Sequence, residues 1–304
     1  MIIDNSIRNN KALLIQYFRD RASEFLAELN TEFGKTQYKQ KARKLNTLLV
    51  KARVTIIEIV KQKAKVEHWH NTELLEGILM VTYCNYLVML EARHTVWEYE
   101  YMSFSRRIGE LWEPFCKIAF EYPINDLELF VPPLFSNVKK KLENEIEEYI
   151  NELTIRDEEK QQLLKYYHKV WGLVISGEIQ LELDLHFIYQ GQKYVVDFKS
   201  GFGSNEKGNT NRLLLVASIY QNMEENYNPL IFVRSEDNNN YFNTLKDSGI
   251  WKAYCGIETY DEIHKYTGYD LKEWIDKNAT WGADLSSDFS SFLKKHDLSQ
   301  YLTW

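Results

Sequence analysis

The sequence predicts an α/β fold: a mixed central sheet flanked by helices, joined to a large N-terminal helical region. Three observations carry that expectation. Over the first hundred residues apolar side chains recur at helical spacing, residues 177–200 switch to alternation, and helical and strand patterns then take turns. With 304 residues and 44% hydrophobic content the chain can bury a sizeable core, and 20 tyrosines and eight tryptophans suit a packed interior better than a disordered polymer.

Taking the elements in order, Leu13, Leu14, Tyr17, Phe18, Phe25 and Leu29 fall on one helical face, and no proline interrupts residues 11–101. Residues 1–101 therefore read as a helical bundle or arm, within which 72–98 is apolar enough to be an internal helix. Residues 102–304 form a second unit. A polar break spans 121–133, and 137–170 is a helical insertion with charges laid out for a solvent-facing side. After the alternating stretch come a helix at 211–225, a strand at 230–234, a short helix at 241–247, a strand at 251–256 and terminal helices.

Charge and composition narrow the function. A net charge of -7 argues against a protein that simply coats nucleic acid. Between Lys35 and Lys65, however, ten Lys or Arg accompany a single acid, Glu58. That stretch is either a local positive field or a solvated helix face. Cys84, Cys116 and Cys255 are too few and too scattered for a disulfide framework, so reduced thiols are expected. No segment reaches roughly 18 consecutive apolar residues, and residues 1–10 lack the zones of a signal peptide, so a cytoplasmic location is expected. There is no GxxxxGK[ST] motif, no nucleophile elbow and no dinucleotide-type glycine motif, which leaves nucleotide-driven, Ser-His-Asp and methyl-transfer chemistry without support.

Residues 178–200, EIQLELDLHFIYQGQKYVVDFKS, are the most informative stretch. On the first strand Ile179, Leu181, Leu183, Leu185, Phe187 and Tyr189 share one face, and Glu178, Gln180, Glu182, Asp184 and His186 the other. On the second, Tyr194, Val196 and Phe198 oppose Val195, Asp197 and Lys199. A two-residue turn at Gln190-Gly191 sets Asp184 directly across from Asp197. Opposed residues hold their Cβ atoms roughly 4.5–5.5 Å apart, so two like charges there repel unless a cation lies between them. Magnesium suits a pair of hard oxygen ligands and takes water and phosphate oxygens as the rest. Lys199, on the same face, is placed to orient a water or neutralise charge on a phosphate. A turn at Gly191-Gln192 would instead pair Asp184 with Lys199 as a cross-strand salt bridge. His186 is either a secondary base or a strand surface residue. His68-Trp69-His70-Asn71 invites a metal reading that no neighbouring Cys or acid completes.

An acid on one strand followed by acid-x-Lys on the next resembles the signature of the PD-(D/E)xK nuclease superfamily, with Leu183 where that pattern has proline. Asp184 and Asp197-Phe198-Lys199 carry the match. Glu158-Glu159-Lys160 and Asp270-Leu271-Lys272 share the tripeptide, but they lie in helical stretches without a partner strand. Two further segments resemble Type II restriction endonucleases. KSGFGSNEKGN at 199–209 is similar to the Lys-Ser-Gly segment after their catalytic lysine, and SRRIGELWE at 105–113 is similar to the start of their first core helix.

The resemblance implies a restriction-endonuclease-like αβββαβ core and a Mg2+-dependent endonuclease that cuts double-stranded DNA at a specific short sequence, leaving 5'-phosphates. It implies catalytic roles for Asp184, Asp197, Lys199 and Glu113. The metal would be held by Asp184, Asp197 and Glu113, with Glu110 as the fallback acid, and Pro114 would start the helix later than the family pattern requires. Arg106, Arg107, Ser200, Ser204, Lys207, Asn209 and Arg212 are the expected DNA contacts. A palindromic duplex site implies a homodimer. A cognate methyltransferase is expected as a genetic rather than physical partner. The helical region would contribute backbone contacts, dimer contacts or both. A repair, junction-resolving or transposition nuclease, or an inactive DNA-binding protein, is the alternative reading.

Overall fold

The computed structural model describes residues 4–174, 181–203, 207–223 and 227–304, with the side chains of 171–174 left aside. Four long helices come first: α1 (Lys11–Glu32), α2 (Tyr38–Val66), α3 (Asn71–Val96) and α4 (Tyr101–Glu121). The internal helix expected at 72–98 is α3, which buries its apolar residues on every side, including Leu79, Tyr83, Leu87 and Leu90. His70, from the doubtful metal motif, caps α3, its backbone N–H donating to Glu73 Oε2. By length and composition α3 is apolar enough to cross a membrane, contrary to expectation. Yet 83% of its most apolar window is buried by protein, which accounts for that composition as a core helix.

The remainder is mixed α/β. A three-residue strand, β1 (Leu127–Leu129), lies within the polar break, too short to show in the alternation pattern. The insertion is two helices, α5 (Phe135–Glu152) and α6 (Asp157–Val174). Then follow β2 (Leu185–Tyr189), β3 (Gln192–Lys199), α7 (Lys207–Gln221), β4 (Tyr227–Val233), α8 (Asn240–Asp247) and β5 (Lys252–Cys255). The chain closes with α9 (Ile257–Thr267), α10 (Leu271–Asn278), α11 (Trp281–Asp284) and α12 (Ser287–Lys295). The five strands form one sheet in sequence order: β1, β2 and β3 run antiparallel, while β3, β4 and β5 run parallel.

Helices cover both faces of this sheet. Leu185, Phe187, Val196, Phe198, Leu230 and Phe232 belong to a core shared with α4 and the N-terminal helices. Trp112 meets Phe198 at 5.6 Å between ring centroids, and Phe120 meets Phe187 at 5.1 Å. On the other face Val195, Ile231, Val233 and Ala253 pack with Leu213, Val216, Ala217 and Tyr220 of α7 and with α8. The first core is continuous from Leu14 and Phe18 through the sheet to Trp274 and Phe289. Asp284 fastens the two ends of the chain together: Lys11 Nζ lies 2.8 Å from its Oδ2, and Tyr83 OH donates to the same oxygen at 2.6 Å. Cys84 and Cys116 are buried free thiols, and Cys255 is half-buried.

The double covering corrects two expectations. His186 is not a strand surface residue but 6% exposed. The N–H of Leu183 donates to its Nε2 at 3.3 Å, and burial depresses its pKa to about 4. Leu181 and Leu183 pack in the α7-side core, away from Leu185 and Phe187, because the backbone bends at Asp184 and the ladder begins only at Leu185. Ile179, Glu178 and Gln180 lie outside the described residues.

The hairpin turn fixes the register. Gln190 and Gly191 have φ of 49° and 73°, the pair of positive values a type I′ turn requires. Glycine takes such a φ freely, whereas glutamine is strained there. Gln190→Gly should raise stability by about 0.5–1 kcal/mol, while Gly191→Val should lower it by about 1–2 kcal/mol, both read from urea unfolding. Equal stability of the two variants would show that the turn does not set the pairing.

Candidate active site

The observed register pairs Leu185 with Val196 and Tyr189 with Gln192, so the ladder, extended by one step, sets Asp184 opposite Asp197. The alternative turn, which would have paired Asp184 with Lys199, does not form. Asp184 stands at the bend before β2, and its Oδ2 accepts the N–H of Phe198 at 2.7 Å. Asp197 is 2% exposed, with Lys199 Nζ in contact with its Oδ2 and Arg212 Nη2 of α7 3.5 Å from its Oδ1. Two carboxylates and two cations thus meet beneath α7. Burial pushes the Asp197 carboxyl above its ordinary range and the Asp184 charge pushes the same way, while Lys199 and Arg212 pull against them.

The site lies at the carboxyl end of two parallel strands, where α/β sheets bind ligands. Beyond Lys199 the pairing continues into the loop, Arg234 N donating to Lys199 O at 2.9 Å and Ser235 N to Ser200 O at 3.1 Å. Arg234 Nη2 donates to Ser200 Oγ at 3.0 Å, and Phe202 N donates to Asn238 Oδ1 at 2.9 Å. The asparagine-rich turn at 237–240, which reads from sequence as an exposed turn, is therefore the buttress of the loop after Lys199. Arg234 is the cation that sequence reading missed. Its signal is an arginine ending the strand next to the one that bears Lys199.

The two segments singled out by resemblance touch. A Cβ built on Gly109 of α4 would lie 2.7 Å from the Cβ of Ser200, so only glycine lets α4 pass this loop. Contrary to expectation Pro114 does not delay the helix. It sits in the interior of α4, facing solvent, where water can satisfy the carbonyl that loses its partner.

Glu113 is not clustered with the two aspartates. It binds Lys117 Nζ at 2.6 Å, and that ammonium lies over the Phe198 ring at 5.9 Å, on the side of β3 opposite Asp197. Glu110 bridges Arg106 Nε at 2.8 Å and Arg107 Nη1 at 3.2 Å. Lys207 and Asn209 open α7, with Asn209 Oδ1 3.5 Å from Arg212 Nη2. Ser204 lies outside the described residues. Among the described residues no three His, Cys, Asp or Glu side chains converge with metal-ligand geometry. A metal here would rest on Asp184 and Asp197, which fits magnesium, since it binds through one or two carboxylates and fills its sphere with water and phosphate oxygens. The contact between the Lys199 ammonium and Asp197 shows that this carboxylate already takes a cation.

Compared with protein-family models, characterised proteins and solved structures, the chain matches none.

Gly109→Ala should cost about 1–3 kcal/mol by overpacking, and adding Ser200→Gly should restore most of it. No loss from Gly109→Ala would mean that α4 and the loop do not meet. Asp197 gives a pH test. A carboxyl whose folded pKa lies above its unfolded value takes up a proton on folding, so its contribution to stability declines as pH rises through that window and stays unfavourable above it. In chelator at neutral pH, Asp197→Asn should melt about 2–4 °C above wild type by calorimetry, with the gap closing as pH falls below the ordinary carboxylate range. A lower melting point would mean that attraction to Lys199 and Arg212 outweighs burial.

Proposed function

We propose that this chain is a Mg2+-dependent endonuclease acting on double-stranded DNA, with Asp184, Asp197 and Lys199 as its cutting centre. The observation that carries the reading is the position of Asp184 one step before the ladder that the Gln190-Gly191 turn sets, its Oδ2 held by the N–H of Phe198 next to Asp197, with Lys199 against the Asp197 carboxylate. The order α4, β1, β2, β3, α7, β4, with α5 and α6 inserted, supports the αβββαβ core that the resemblance implies.

Asp184 and Asp197 would hold the metal, which supplies Lewis-acid stabilisation of the phosphoryl and leaving oxygens. Asp184 is oriented for this by the Phe198 N–H, and Asp197 by burial under α7. Lys199 exchanges its contact with Asp197 for the attacking water or a phosphate oxygen, where its charge offsets the negative charge that develops in the transition state. The water oxygen bonds to phosphorus as its proton passes to solvent, the P–O3' bond breaks, and the 3'-oxygen takes a proton from solvent and leaves as an alcohol while the phosphate stays on the 5' end. Lys207, Asn209 and Arg212, at the start of α7, and Ser200, beside β3, would meet the scissile strand, since helix N-termini favour anions.

Duplex DNA as substrate, a specific short recognition sequence, a two-fold homodimer on a palindromic site and a cytoplasmic location belong to the same proposal. So does Glu113 as an assisting acid, which requires it to leave Lys117 when DNA binds. Plasmid DNA incubated with the protein and Mg2+ should yield discrete fragments with 5'-phosphate ends, and chelator should stop the reaction. Asp197→Ala should lower the cleavage rate at least about 100-fold, and Lys199→Ala comparably. Undiminished cleavage by Asp197→Ala, or none by wild type on varied plasmids, would remove the proposal.

A further inference from the structure

Away from the carboxylates, the cations of α2 and α4 face one another across a seam. Lys39, Arg43, Asn46 and Arg53 recur on α2 at intervals of four, three and seven residues, which places them on one helical face. The neighbours of that face are aromatic and basic. Lys39 Nζ lies 5.5 Å from the Trp97 ring, and the Arg53 guanidinium 4.8 Å from the Tyr86 ring. Asn46 lines a groove of about 510 Å³ with Arg93, Tyr99, Arg106 and Arg107. Opposing acids are few: Glu100 caps α4, Glu110 bridges Arg106 and Arg107, and Glu121 sits among Lys61, Lys117 and Arg53 at the far end. A local positive excess therefore stands in a protein of net charge -7.

One further observation points to a ligand of negative charge. Arg53 Nε and Nη1 are buried donors with no hydrogen-bond partner. Buried donors of this kind are satisfied in nearly all folded proteins, by solute if not by protein. Beside the groove, Trp97, Tyr101 and Met102 are exposed. The seam also reaches the site, because Arg106 stands roughly 4.5 Å of helix rise from Gly109, which touches Ser200.

We infer that this seam is the track for the sugar-phosphate backbone of nucleic acid, with Arg43, Arg53, Arg106 and Arg107 as its phosphate contacts. That the strand is the one cut at Asp184 and Asp197 rests on the function proposed above; the track itself does not. In EDTA, so that nothing is cut, the anisotropy of a labelled duplex of about 30 base pairs is measured from about 50 to about 200 mM KCl. Arg43→Gln and Arg106→Gln, both at exposed positions, should each weaken binding about 3- to 10-fold and flatten the slope of log K against log salt by about 0.9. Lys295→Gln, at an exposed position of α12, should leave both unchanged. Arg53→Gln should behave as the first two, with its melting temperature checked because the side chain is half-buried.

Wild-type affinity and slope in Arg43→Gln and Arg106→Gln would overturn the track, as would no binding by the wild type. The two proposals fail separately. Cleavage with Mg2+ that all the seam variants retain at the wild-type rate, with wild-type binding, sinks the track and keeps the nuclease. Salt-sensitive binding that the seam variants lose, in a protein that cuts no DNA, keeps the track and sinks the nuclease.

Discussion

The repulsion between Asp184 and Asp197 is the constraint around which the centre of this fold is arranged. Asp197, almost wholly buried and beside the Asp184 charge, disfavours its own ionisation unless cations attend it. Lys199 and Arg212 come from different elements, β3 and α7, to do so. An apolar pair would fill the same space without desolvating charge.

The rest of the fold supplies that hold. The type I′ turn sets the register, α7 closes one face over Asp197, and α4 closes the other with Trp112 and Phe120 against the sheet. Gly109 lets α4 approach the loop after Lys199, and Arg234 and Asn238 fasten that loop from the β4 side. The N-terminal helices are not a detachable arm in this respect. They share the core that backs the sheet, and Asp284 joins α1 and α3 to the C-terminal helices.

How much of this was legible depends on whether the signal is local. The register follows from a two-residue turn and alternation on either side, so the meeting of Asp184 and Asp197 can be read from residues 184–199 alone. The helices of the first hundred residues and the order of elements after β3 are legible for the same reason, since each is a run of one period. What stayed hidden depends on which element covers which. His186 reads as polar-face surface because alternation cannot tell that α7 lies over it. Leu183 reads as packing with Leu185 because a bend at Asp184 leaves no mark in the period. The attachment of Glu113 to Lys117, and the facing of α2 by α4, need tertiary placement. Arg234 was within reach of sequence reasoning, as the last residue of the strand expected at 230–234, beside the one that bears Lys199.

The central claim, that the two aspartates share one hard cation, is tested most directly by a crystal of the protein with bound duplex and Mn2+, using the anomalous scattering of the metal. The expected result is a peak between Asp184 and Asp197, within about 2.0–2.3 Å of an oxygen from each, completed by water or phosphate oxygens in an octahedral sphere. A peak held by other residues, or none between the two carboxylates at saturating Mn2+, would contradict the account.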